Sequence, residues 1–262
     1  MLSSKSGNQL VRQILILLAG LLPLSGLARA QDVLVSGNAL GGSDPAFTGA
    51  LTSIGVNPTF VSASDYGTVS LAGFKAVWLD GFSQFSPGTA GNPGLSATAL
   101  VNFMTGGGVV LVQNPGFGSE SMTAFPFGSE LSAVFTTPPG ENTVRLTGSL
   151  SPVNAHLTSA GLSGWNPSAY GIFTSAGSFT ALSDNGTDGN YLTLVRPVGS
   201  GLLVYTQQGI GQRLSADPTD PQALQFLGNV FAQAVVPEPS TIALWSIGVG
   251  ALLVVLRRAP AR

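Results

Sequence analysis

Between its two ends the sequence predicts an α/β domain with a doubly wound, mainly parallel sheet, and three observations carry that expectation. Residues 33–35, 76–79 and 109–112 are short, wholly apolar runs, the pattern of strands buried on both faces. Stretches with helical spacing of apolar residues lie between them. Glycine marks the helix-to-strand junctions, at Gly55 and at Gly106-Gly107-Gly108. Alternating strands and helices make successive strands parallel, because each crossover returns the chain to the same end of the sheet.

The first strand ends in a polar loop at Gly37-Asn38. Asp44 then caps a helix, Pro45 fits its first turn, and Phe47, Leu51 and Ile54 form its buried stripe before Gly55 stops it. Residues 58–62 read as the second strand and 76–80 as the third, with a polar segment holding Asp65 and Tyr66 between them. Ser96 caps the next helix, through Leu100, Phe103 and Met104, and residues 109–112 form the fourth strand. From Gln113 to about Gly140 the pattern loosens into a Pro-, Gly- and Phe-rich loop, longer than an ordinary connection. Later strands are expected at 179–182, 191–195 and 202–206, and Asp220-Pro221 opens a last helix through Leu224, Leu227 and Phe231.

Neither end belongs to this domain, which spans 31–235. Lys5 and Arg12 precede the apolar run 14–22, Pro23 follows it, and Ala28 and Ala30 supply the small residues that a signal peptidase reads. The run is well short of the roughly 20 residues that span a bilayer, so residues 1–30 are expected to be a cleaved signal peptide.

Charge is scarce. Between 31 and 235 the basic residues are Lys75, Arg145, Arg196 and Arg213, against eleven acidic ones, a formal charge of −7. A field of that sign repels phosphate, which excludes nucleic acid as a partner. There is no cysteine, so neither disulfides nor thiol catalysis is available. Apolar residues make up 44% of the chain, which separates it from disordered sequences of low charge.

The tail, 236–262, has three parts. Pro237, Glu238 and Pro239 hold an extended, accessible segment, since proline cannot enter a helix interior. Residues 242–256 are apolar all round and seek lipid; their 15 residues are short for a span, and Arg257 and Arg258 reach the interface beyond them. Those arginines place the C-terminus in the cytoplasm and the domain outside. The arrangement resembles the PEP-CTERM sorting signal of exopolysaccharide-producing Gram-negative bacteria. The resemblance implies an exosortase as partner, with the motif as substrate, residence in the inner membrane before sorting, and delivery to the cell surface or beyond.

A second resemblance lies within the domain. The strand ending in Gly-Asn, the Gly106-Gly107-Gly108 junction, His156-Leu157-Thr158 with Gly161-Leu162, and the run from Gly201 to Gly209 look, in that order, like the class I glutamine amidotransferase-like domains and their ThuA-like relatives. It implies a flavodoxin-like sheet from Asp32 to about Ala234. Those enzymes carry a cysteine on the turn where Gln113-Asn114-Pro115-Gly116 stands here, and neither amide nor proline can attack a carbonyl. A non-catalytic, surface-sorted binding or structural module is therefore expected, associated with extracellular polysaccharide and needing no cofactor or metal. The rival reading is an extracytoplasmic hydrolase using Ser119 or Ser121 with His156, the only histidine, although the Gly-x-Ser-x-Gly elbow is absent.

Two further features have a structural and a functional reading. Residues 184–189, Asp-Asn-Gly-Thr-Asp-Gly, place oxygen ligands along a turn but lack the distal glutamate of a calcium loop, so a hairpin turn is favoured. Phe82, Phe85, Phe117, Phe125 and Phe127 lie near the expected carboxyl edge of the sheet, where rings stack on sugars or, more commonly, fold inward to hold a long loop down.

Overall fold

The computed structural model describes residues 31–36, 44–61, 69–80, 95–113, 122–123, 125–135, 143–165, 171–187 and 189–234. The expected signal peptide and the expected span at 242–256 lie outside these residues. Among the described residues no helix is long and apolar enough to cross a membrane.

The first half alternates as expected: β1 (Gln31–Ser36), α1 (Pro45–Ser53), β2 (Val56–Val61), β3 (Ala76–Asp80), α2 (Ala97–Thr105) and β4 (Val109–Gln113). The caps read from sequence are the caps observed. Asp44 Oδ1 accepts from the Ala46 N–H at 2.8 Å, and Ser96 Oγ accepts from the Ala99 N–H at 3.2 Å. Gly55 turns the chain at φ +77°, a left-handed conformation that suits glycine. The second strand begins at Val56, two residues earlier than expected, because Val56 is buried opposite Gln31. Pro58 is tolerated inside it because β2 is an edge strand.

The second half follows as β5 (Ser132–Phe135), β6 (Arg145–Leu146), α3 (Ser159–Leu162), β7 (Gly171–Ser175), β8 (Thr180–Asp184), β9 (Tyr191–Val198), β10 (Gly201–Thr206), α4 (Ile210–Ala216) and α5 (Pro221–Phe231). Asp220 caps α5 through the Gln222 and Ala223 N–H groups at 2.9 and 2.8 Å. The long loop expected after Gln113 is partly structured, with a 3₁₀ turn at Gly128–Glu130 and then β5.

One sheet results, in the order β2-β1-β3-β4-β10-β9-β7-β5, with β8 beside β9 and β6 beside β8. The five strands from β2 to β10 run parallel in the 2-1-3-4-5 order of flavodoxin-like sheets. Every pairing beyond β10 is antiparallel, so the expected mainly parallel sheet is the central part of a mixed one. The cause is local: β9 joins β10 through Gly199-Ser200, and a connection that short can only reverse the chain. Gly201 starts β10 because a Cβ there would lie 2.0 Å from the Gly108 carbonyl oxygen of the neighbouring strand's lead-in.

Each sheet face carries an apolar cluster. One joins Val33, Trp78 and Leu111 to Phe47 of α1, Leu214 of α4 and Phe226 and Phe231 of α5, and continues to Leu182 and Leu192. The other joins Leu34, Leu79 and Val112 to Leu100 and Met104 of α2 and continues to Phe173, Leu194 and Tyr205. Both clusters run through the parallel and the antiparallel half, so the two halves share their core.

Candidate functional site

A buried polar row crosses the sheet at the carboxyl ends of the parallel strands. Gln113 on β4 lies opposite Thr206 on β10, Thr206 opposite Thr193 on β9, and Thr193 opposite Ser183 on β8. All four are buried. Polar side chains at such positions must find partners or lose stability. Gln113 Oε1 accepts from the Gly211 N–H at 2.9 Å and its Nε2 donates to Gln212 Oε1 at 2.9 Å, which ties the end of β4 to α4. Thr193 Oγ1 donates to Gln208 Oε1 at 3.3 Å, so the 3.1 Å contact between the two threonine hydroxyls uses the proton of Thr206. Gln208 Nε2 reaches the Leu162 carbonyl at 3.1 Å. Ser183 Oγ and Gln207 Nε2, buried at or beside this row, have no hydrogen-bond partner among the described residues.

These side chains are neutral amides and hydroxyls. They hold shape and can orient a polar molecule, but none of them is a base that could take a proton near neutral pH. Gln113, at the end of β4, is locked into the fold by both ends of its amide. Residues 114–116, Ser119 and Ser121 lie outside the described residues.

His156 is exposed, on a turn at φ +61° between the 3₁₀ turn Pro152–Asn154 and α3. Its carbonyl accepts from Gln222 Nε2 at 3.4 Å, and Asn229 Nδ2 holds the same segment through the Val153 and Ala155 carbonyls at 3.0 and 2.7 Å. The segment is thereby clamped on α5 by its backbone. Among the described residues the imidazole makes no hydrogen bond, so no carboxylate orients it as a triad would require.

The turn read as metal-like or hairpin joins β8 to β9, with the Asn185 N–H donating to the Asn190 carbonyl at 3.0 Å. Asp184 is buried, and its carboxylate takes a fork from Arg145: Nε lies 3.0 Å from Oδ1 and Nη2 lies 2.9 Å from Oδ2. Oδ1 also accepts from the Gly186 N–H at 2.8 Å. The carboxylate most suited to a cation is thus committed to a guanidinium and to the turn itself. Beside this pair lies an open groove of about 470 Å³ lined by Arg145, Leu146, Thr147, Gly148, Asp184, Gly189 and Tyr191. Sequence reasoning missed this groove. The available signal was the scarcity of basic residues, since an arginine kept in so uncharged a domain has a partner to hold.

Of the loop phenylalanines, Phe125 and Phe127 are described and both fold inward. Phe125 packs edge-on to Tyr205, ring centroids 6.2 Å apart, and the Tyr205 hydroxyl donates to the Pro126 carbonyl at 2.7 Å. Burial pushes the Tyr205 phenol well above its ordinary value. Phe127 lies under the Arg196 guanidinium, 3.8 Å from the ring centroid. Arg196 also pairs with Glu130 at 2.7 Å, and Ser178 donates to the same carboxylate. The Ser178 hydrogen bond, followed by that from Arg196, holds the Glu130 carboxyl below its ordinary value. Phe82, Phe85 and Phe117 lie outside the described residues.

Residues 235–259 match the PEP-CTERM protein-sorting motif, a segment that includes Pro237, Glu238, Pro239, Arg257 and Arg258. Those five residues, like Ala28 and Ala30, lie outside the described residues. The match marks the chain for exosortase-type sorting and for export. No curated protein matches the sequence significantly. Two solved structures share the fold, both cytoplasmic proteins of Salmonella typhimurium. STM1381, from strain LT2, is 10% identical over 78% of this chain and 99% of its own, with a TM-score of 0.55. STM3548 is 9% identical over 77% of this chain and 98% of its own, with a TM-score of 0.54. At such identities the likeness concerns the fold alone.

Proposed function

We propose that the chain is exported, anchored briefly in the inner membrane, cleaved at its Pro-Glu-Pro segment by an exosortase and left at the cell surface, where its domain acts as a non-catalytic module on extracellular polysaccharide. The sorting motif at 235–259 carries this reading. The role of the domain is supported by the few charges left for a polar surface, which suits hydroxyl-rich ligands better than ionic ones.

Two experiments test it. In a host with the sorting enzyme, Glu238→Ala leaves the apolar span intact and should accumulate uncleaved in the inner membrane, while the native chain is processed; equal processing of both would defeat the sorting claim. Purified exported protein should bind neutral polysaccharide and turn over no ester, amide or glycoside. Turnover that disappears in His156→Ala would establish the hydrolase instead.

A further inference from the structure

The groove beside the β8–β9 hairpin lies outside the polar row and is used by nothing described above. It sits at the same end of the sheet as the carboxyl edge of the parallel strands, since Thr206, Thr193 and Ser183 are aligned in register and Asp184 follows directly. It is displaced from that edge by two strands, on the far side of β9 where β6 and β8 pair.

Three properties define what it could hold. The one cation among its described lining residues is paired: the Arg145 side chain is half-exposed, while that of Asp184 is 95% buried, 5% remaining accessible. The pair therefore offers a fixed, polar wall. Tyr191, half-buried and packed against the second apolar cluster, lines the groove, and Thr147 adds a hydroxyl whose proton is committed to the Ala181 carbonyl at 2.7 Å, leaving its oxygen to accept. Gly148 keeps the floor open, with nothing within 4 Å of where its Cβ would lie. An aromatic side chain, a rigid planar fork and a hydroxyl acceptor around a space of this size fit one or two sugar rings, and the formal charge of −7 on the domain favours neutral sugars over acidic ones.

We propose that this groove is the saccharide-binding site of the domain, with Tyr191 as stacking platform and the Arg145–Asp184 pair as the polar clamp. The proposal rests on the polysaccharide reading above and assigns its site. The side chain of Arg145 is positioned by Asp184, which leaves Arg145→Ala open to misfolding, so the decisive variants are elsewhere. Gly148→Phe fills the groove at a position with room for a side chain, and Tyr191→Ala removes the platform.

The exported protein and both variants are titrated calorimetrically with cellohexaose, laminarihexaose and maltohexaose, with polygalacturonate as an acidic control, after circular dichroism has established that each variant is folded. The native protein should bind at least one neutral hexaose in preference to polygalacturonate, and both variants should lose about tenfold or more in affinity, the equivalent of about 1.4 kcal/mol. A native protein that binds while both folded variants bind equally well overturns the groove and leaves the polysaccharide reading standing. Binding of no neutral oligosaccharide overturns both. Stronger binding of polygalacturonate overturns the neutral-sugar assignment. Should Tyr191→Ala fail to fold, Gly148→Phe decides alone.

Discussion

The parallel and antiparallel halves of the sheet are built by different kinds of information. In the parallel half β1, β3 and β4 carry continuous apolar runs, and β1 and β3 are each followed by a helix with a side-chain cap, so the sequence signal there is local. In the antiparallel half β5, β6 and β7 are short and are completed only by partners distant in sequence: β6 has two residues and pairs with β8 some forty positions later. The comparison teaches that local signals mark the strands of the parallel half, whereas the polar row spans both halves and the open groove lies in the antiparallel one.

If the two halves share one core, cutting it in either should unfold both. Phe231→Ala, in α5, should lower stability by about 3–5 kcal/mol, and Phe173→Ala, in β7, by a similar amount, each in a single urea transition. Two separated transitions would break the picture of one cooperative unit.

The next effect separates a structural hairpin from a cation site. Asp184→Ala removes one partner of Arg145 and an acceptor of the turn, and should lower stability by about 1–3 kcal/mol, moderated because Arg145 still reaches water. Calcium should leave the native melting temperature unchanged; a chelator-sensitive rise, absent in Asp184→Ala, would reassign the turn.

A smaller effect is set by pH. The folded state holds Glu130 below its ordinary value of 4.5, so the unfolded chain takes up the proton first as pH falls. The stabilisation is present above about 4.5 and is lost as pH drops through the lower folded value. Asp217, held down first by Thr219 and then by Arg213, has the same sign. Melting curves of native protein and Glu130→Gln should therefore differ near neutrality and converge in acid; a difference that grows on acidification would contradict the sign.

The smallest effect is expected at His156. Its left-handed backbone suits glycine, so His156→Gly should be neutral or stabilising by less than about 1 kcal/mol in thermal melts. A large loss would show that the imidazole itself supports the fold.

What was legible follows the same division. Asp44, Ser96 and Asp220 were readable as caps because capping is decided within three residues, and the apolar runs were readable because burial on both faces leaves no alternation. Arg145 and Asp184 were not readable as a pair, since nothing local links residues 39 positions apart. Nor was the row from Gln113 to Ser183, which exists only once four strands are in register. His156 drew attention as the only imidazole, and its surroundings instead give it a place on a backbone clamp. Phe125 and Phe127 were visible as loop aromatics, but their inward orientation depends on Tyr205 and Arg196, each more than 65 residues away.

The position of α5 has a consequence in time. Its Phe226, Leu227, Val230 and Phe231 close one face of a sheet whose other strands are all synthesised earlier, and Phe231 reaches Trp78 in β3 with ring centroids 6.3 Å apart. Until this last helix is available, the chain waits with the part of that face beyond α1 and α4 uncovered. The sorting motif begins at residue 235, four positions after the helix ends, within a reach of roughly 14 Å even if fully extended. Completion of the fold and presentation of the motif thus fall almost together, so a variant that slows the docking of α5 should also delay processing of the tail.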